Sequence, residues 1–211
     1  MDELALLNHL VIIGSWAEYL YKEANLYDDF TPNLRTTDID TLLNNLRRPN
    51  PRVNLTEALK EVGYIRQERV PDGLVHFLHP DSMELEIMVL EKGRGQVEPY
   101  EVDSLGIKAT GLRAALLTDN TITLKVRDHN VMVPEPAAYV LHKLEITRKD
   151  PAKGEKDIDA IRELVRVMKD KPGANQRIID LYETCGKRVQ KRIDEKCTTH
   201  FIQLPFPEGK K

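Results

Sequence analysis

The apolar pattern of this 211-residue chain changes period near residue 130, and that change bounds the fold more tightly than any single motif. Before it, apolar residues come in short runs closed by turn formers. Leu10-Val11-Ile12-Ile13 is rich in β-branched side chains and stops at Gly14-Ser15, which suits a buried strand better than a helix. Trp16, Ala17, Leu20 and Tyr21 then recur at helical spacing, so a helix follows the turn. Tyr27 to Arg35, holding two acids and a proline, reads as a loop, and Thr36 to Leu43 as the next strand. Asn54 to Val62 has an N-capping residue, a helical apolar stripe and Gly63 as a stop. Strands are expected over Gly73–Leu78 and Met83–Leu90, joined by His79-Pro80-Asp81-Ser82, and again over Thr121–Val126. Residues 93–120, broken by Gly93, Gly95, Gly106 and Gly111, receive no assignment.

From Glu135 the spacing is helical. Ala137, Ala138, Val140, Leu141, Leu144 and Ile146 form one stripe behind Pro134 and Pro136. Ile158–Met168 forms a second and Asn175–Ile193 a third, with Lys171-Pro172-Gly173 between them. The tail after Cys197 is expected to be extended and partly disordered. These patterns predict an α+β chain: a mixed β-sheet with flanking helices over residues 1–130, then a C-terminal helical bundle over residues 131–211. No segment repeats at a fixed period, which excludes a solenoid.

Composition narrows the function classes. Lys and Arg number 31 against 34 Asp and Glu, a net charge of −3, so the chain is not a globally basic nucleic-acid binder. Cys185 and Cys197 are too few for a disulfide framework or a cysteine zinc site and suit a reducing cytosol. Met1-Asp2-Glu3 has no basic lead and the following apolar run is short, so neither a secretory signal nor a membrane span is expected. A cytoplasmic protein is the expectation.

Asp38-x-Asp40 places two carboxylates on one face of a strand, where alternate residues point the same way. With no basic partner in the pattern they repel each other, which makes the face a candidate site rather than a neutral surface. Glu84 and Glu86 repeat the arrangement on the later strand. Hard oxygen ligands of this kind suit Mg²⁺ or Mn²⁺. A solvated strand face is the plain alternative for both pairs. The tight Gly14-Ser15 turn at a helix N-terminus offers backbone N–H groups and a hydroxyl to phosphate oxygens. No spacing among the six histidines suits zinc, and Trp16 reads as a core residue. Lys187-Arg188-x-x-Lys191-Arg192 is a basic helix face, solvated or in contact with an RNA backbone.

An apolar strand, a Gly-Ser turn, a helix and then an Asp-x-Asp strand resemble the nucleotidyltransferase superfamily that includes DNA polymerase β. Gly14-Ser15-Trp16-Ala17 with Arg35-Thr36-Thr37-Asp38-Ile39-Asp40 further resembles its abortive-infection toxin branch. Val133-Pro134, Lys143-Leu144, Arg148 and Lys156-Asp157-Ile158-Asp159 look like that branch's later elements, so the likeness spans residues 9 to 168. The resemblance implies an Mg²⁺-dependent enzyme moving an NMP from an NTP to a hydroxyl on RNA (a tRNA end), protein or a small molecule. A toxin-like role with a cognate antitoxin is part of what it implies. It makes Asp38, Asp40 and a third acid the catalytic and metal-binding set. Glu86 is favoured over Glu84 as that acid, in the Leu85-Glu86-Ile87-Met88 pattern, although the family commonly has aspartate there. Gly14, Ser15, Lys143 and Arg148 become the nucleotide-binding set. For Lys143 the plain alternative is a solubilising helix flank, and for Lys156-Asp157 a helix start favoured by the dipole. A non-catalytic NTP- or partner-binding module with the same fold is the competing function.

Overall fold

The computed structural model describes residues 6–32, 36–81, 83–93 and 98–206. The chain divides into two compact units, one formed by Met1–Leu20 and Leu34–Pro134, the other by Tyr21–Asn33 and Glu135–Lys211.

The first unit is built on a nine-stranded mixed sheet. After a short 3-10 turn at Leu6–Asn8 come β1 (Leu10–Ile12) and α1 (Ser15–Glu23), whose last turn belongs to the second unit. Next are β2 (Asp38–Leu43), α2 (Leu55–Lys60), β3 (Ile65–Glu68), β4 (Val75–Leu78) and β5 (Glu84–Leu90). β6 (Tyr100–Val102), β7 (Ile107–Leu112), α3 (Ala115–Asp119), β8 (Thr121–Val126) and β9 (His129–Pro134) complete it. The strands run in the order β3-β4-β5-β2-β1-β9-β8, with β7 pairing the far end of β5 and β6 pairing β7. β1 is antiparallel to β2, whereas β2 and β5 are parallel.

Alternation along β2 and β5 sorts their residues onto two faces. Leu43, Leu85, Ile87 and Val89 join Val75, Phe77, Leu55 and Leu59 in one buried cluster. On the opposite face Leu42 and Met88 pack with Val11, Ile13, Ala114 and Leu117. The same face changes character at the N-terminal ends of β2 and β5, where Asp38, Asp40, Glu84 and Glu86 replace the aliphatic side chains. α2 starts as its sequence predicts: the Asn54 side chain accepts from the Glu57 N–H at 3.3 Å, a cap worth about 1 kcal/mol.

The second unit is helical. α4 (Pro136–Glu145) is buried nearly all round and packs against α5 (Pro151–Met168), α6 (Ala174–Thr184) and α7 (Lys187–Thr199). A helix buried on nearly every side belongs at the centre of a bundle, and here it carries His142 and Lys143 inward as well as its aliphatic side chains. Tyr21, Tyr27 and Phe30 are buried, with Tyr21 edge-on to Tyr139 of α4 at 6.1 Å. Arg166 donates to the Asp29 carbonyl at 2.8 Å and the Thr31 N–H to Glu163 at 3.1 Å, tying this returning segment to α5.

Several elements differ from the sequence expectation. The stripe Asn175–Ile193 is two helices, because Cys185 is extended (φ −69, ψ 140) and Gly186 starts α7 while the apolar spacing runs on regardless. α5 begins at Pro151, capped by Asp150, so Lys156-Asp157 lies within the helix rather than at its start. β3 and β9 were not anticipated, and residues 93–120 hold β6, β7 and α3. The expected extended tail is borne out only as irregular backbone over 201–206, since 207–211 lie outside the described residues, as does Arg35.

Candidate active site

Gly14 joins β1 to α1 with φ +65, a left-handed conformation that glycine adopts without strain. It is also crowded: a Cβ there would stand 2.7 Å from Asp40 Oδ2. The Ile13 N–H donates to the Asp40 carbonyl at 2.9 Å, fixing the turn beside the aspartate. Backbone approach at this point therefore depends on a missing side chain. Ser15 follows as the first residue of α1.

Asp38 opens β2 and Glu84 opens β5, paired in parallel register; Asp40 pairs with Glu86 in the same way. Register partners on adjacent strands point to one face, so the four carboxylates form a two-by-two patch beside the Gly14 turn. Thr41 locks the register by donating to the Glu86 carbonyl at 3.1 Å. Asp38 and Glu84, the two acids that open the strands, have different partners. Thr36 Oγ1 donates to Asp38 Oδ1, and Glu84 Oε1 lies 2.7 Å from His76 Nδ1. For Glu86 the nearby charge is the Arg69 guanidinium, on which its carboxylate acts.

His76 is the residue that sequence reasoning missed. On β4 it pairs with Glu86, extending the polar row by one strand. Alternation in Val75-His76-Phe77 already set it opposite the core-facing Val75 and Phe77, but its neighbours only appear once β4 is laid against β5.

The donor set is chemically suited to a hard divalent cation: carboxylate oxygens, no thiolate, and a glycine gap at Asp40. It is open rather than closed, since among the described residues no three His, Cys, Asp or Glu side chains are gathered to hold a metal on their own.

Lys143 and Arg148 lie in the second unit. Lys143 Nζ is 2.5 Å and Arg148 Nε 2.7 Å from opposite oxygens of Asp157. Burial pushes the Asp157 carboxyl up, but its two cations outweigh that and hold it below the usual carboxylate range. The adjacent His142 is buried, and burial with the Lys143 and Arg148 charges lowers its pKa to about 4. Its Nδ1 has no hydrogen-bond partner. Lys196 closes the group, donating to the carbonyls of Lys143 and Ile146 at the end of α4 at 2.9 and 2.7 Å.

The model of a family described as Nucleotidyltransferase matches residues 1–181, a range that contains the glycine turn and the four acids. The chain belongs to this nucleotidyltransferase family. It is thus an enzyme that moves a nucleoside monophosphate from a nucleoside triphosphate to an acceptor. No curated protein matches its sequence significantly. Among solved structures, the nucleotidyltransferase is similar to an antigenic nucleotidyltransferase-like protein from Paracoccidioides brasiliensis, at 16% identity over 96% of this chain and 93% of that one, TM-score 0.49. It is also similar to ANT(2″)-Ia in complex with adenylyl-2″-tobramycin, at 13% identity over 95% and 99%, TM-score 0.44. The antibiotic-resistance factor ANT(2″)-Ia in solution gives 16% identity over 92% and 86%, TM-score 0.44. Among the described residues no helix is long and apolar enough to cross a membrane.

Proposed function

We propose that Asp38, Asp40 and Glu86 are the metal-binding and catalytic acids of this nucleotidyltransferase, and that the Gly14-Ser15 turn receives the triphosphate. The observation that carries the reading is the register of β2 and β5, which sets Glu86 beside Asp40, the residue that crowds Gly14. Mg²⁺ or Mn²⁺ on these oxygens would offset the charge of the phosphates. The residues themselves do three things. Backbone N–H groups and the Ser15 hydroxyl hold phosphate oxygens at the start of α1. Asp38 and Asp40 would hold the cation, since carboxylates alone repel the phosphates. Glu86 stands on the side of Asp40 away from the turn, and this is the side proposed for the acceptor hydroxyl. Attack by that oxygen on the α-phosphorus expels pyrophosphate. The rate gain comes from positioning and charge stabilisation.

Glu84 is the less suited third acid because His76 already occupies it. Lys143 and Arg148 are proposed as phosphate contacts on their charge alone; their partner Asp157 gives them a structural task as well. The acceptor (an RNA end, a protein hydroxyl or a small molecule) and a toxin-like role with an antitoxin rest on the sequence resemblance. The test is transfer of label from an α-labelled NTP in cell extract. Asp40→Ala abolishes transfer while leaving a folded protein; full activity in that variant refutes the assignment. Binding of Mg·NTP by the wild type without transfer to any acceptor would favour the binding-only alternative.

A further inference from the structure

The sheet ends on one side at β3, which pairs with β4 and has no strand on its other edge among the described residues. Among the described residues the large apolar side chains most exposed are Val62 (62%), Ile65 (59%), Val70 (88%) and Phe201 (91%), and the first three flank or lie on this edge. No large apolar side chain is exposed on β8, the strand at the opposite end. Isolated exposed apolar residues mean little, but a group of them along an unpaired strand is what protein surfaces normally avoid.

The backbone shows which groups face outward. Arg69 N–H donates to the Leu74 carbonyl at 2.8 Å, in line with the register that pairs Gln67 with His76 and Ile65 with Leu78. Hydrogen-bonded and non-bonded pairs alternate along an antiparallel ladder. Hence residues 65, 67 and 69 bond toward β4, and the N–H and C=O groups of Arg66 and Glu68 point to the open edge. These two residues have opposite charge. In a two-fold antiparallel pairing centred on Gln67, each Arg66 faces the other copy's Glu68. The outward backbone groups of both are then satisfied, and Tyr64 comes opposite the exposed Val70. Registers centred on Arg66 or Glu68 would also match the free hydrogen-bonding groups but set like charges opposite each other, so the charges select the register centred on Gln67. Within a single chain Arg66 already pairs with Glu68 on one face of the strand while also donating to Thr56 Oγ1 at 3.2 Å, so the second copy completes an alternating square of four charges.

We infer that β3 is the homodimer edge of this protein, two copies joining their sheets antiparallel across Gln67. The edge lies two strands from the nearest proposed catalytic strand, β5, which leaves the acids clear of the contact.

Sedimentation velocity of the full chain over a range of concentrations tests this, with a dimer of twice the chain mass expected. Glu68→Pro removes an N–H that β4 does not use, and Glu68→Arg sets Arg66 against a like charge. Both are expected to give monomers whose thermal midpoint stays close to that of the wild type. Arg66→Glu combined with Glu68→Arg is expected to restore the dimer. Gln67 sits on the two-fold in a non-bonded pair, where Cα atoms approach to about 4.5 Å, within disulfide reach. Gln67→Cys, with Cys185 and Cys197 changed to Ser, is therefore expected to crosslink on oxidation while Arg66→Cys in the same background does not. A wild type that stays monomeric overturns the inference and leaves the edge to an extended peptide of another protein. A dimer untouched by both Glu68 variants, or equal crosslinking at 66 and 67, also overturns it.

Discussion

Replacing Gly14 by alanine puts the proposed geometry under the most direct strain. Two effects add. At φ +65 an alanine costs roughly 1–2 kcal/mol relative to the right-handed region. The new methyl also stands 2.7 Å from Asp40 Oδ2, well inside the 3.4 Å at which ordinary contact begins, so the carboxylate has to rotate. Moving it off its rotamer costs about 1 kcal/mol more. The expected loss of stability is thus about 2–3 kcal/mol, read from urea unfolding. Mg·NTP affinity should fall as well, because the displaced group is a proposed ligand. A drop of at least tenfold, about 1.4 kcal/mol in binding, is expected by calorimetry on the folded variant. Gly106→Ala supplies the control: Gly106 has φ +67 but nothing within 4 Å of a new Cβ. It should lose comparable backbone stability and keep wild-type nucleotide binding. If both variants bind Mg·NTP like the wild type, the contact between Gly14 and Asp40 has no bearing on the site and the reasoning fails.

Glu86→Gln should abolish metal-dependent nucleotide binding measured by calorimetry, while Glu84→Gln, whose partner is His76, changes it little; the opposite order would make Glu84 the third acid. Asp157→Asn leaves Lys143 buried without its counter-charge and should cost about 3 kcal/mol or more in thermal or urea unfolding. Lys143→Met should cost less, since Arg148 still serves Asp157, and equal losses would contradict the pairing. His142 is neutral in the fold down to about pH 4 but takes up a proton near pH 6.5 when unfolded, so its contribution is complete above pH 6.5. On acidification through that window to about pH 4 the loss approaches roughly 3 kcal/mol. Urea unfolding against pH should show this slope flattened in His142→Leu, and identical slopes would refute it.

Local patterns disclosed the elements that bury a regular face. β1, β2, β5 and β8 were visible as β-branched or alternating runs, and α4 as an apolar stripe behind two prolines. β3 was hidden because Ile65-Arg66-Gln67-Glu68 is an exposed edge strand with nothing apolar to alternate against a core. β9 was hidden by its polar start, His129-Asn130, and α6 and α7 merged because Ile178 through Ile193 kept helical spacing across a break made by backbone conformation. At the site, period two was enough to put Asp38 beside Asp40 and Glu84 beside Glu86. That the two pairs meet was not legible, because β2 and β5 are parallel neighbours joined through two intervening strands. His76 and the Lys143–Asp157 pair likewise depend on contacts between segments whose local patterns are ordinary.

The second unit takes Tyr21–Asn33 from within the first, with a consequence for anyone who wants the halves as separate reagents. No single cut yields them. Truncation after Pro134 gives a fragment in which Phe30 and Tyr21 have lost Tyr139 and its surroundings, while the complementary piece lacks those aromatic rings altogether. Isolating either half calls for grafting or circular permutation of the gene rather than a stop codon.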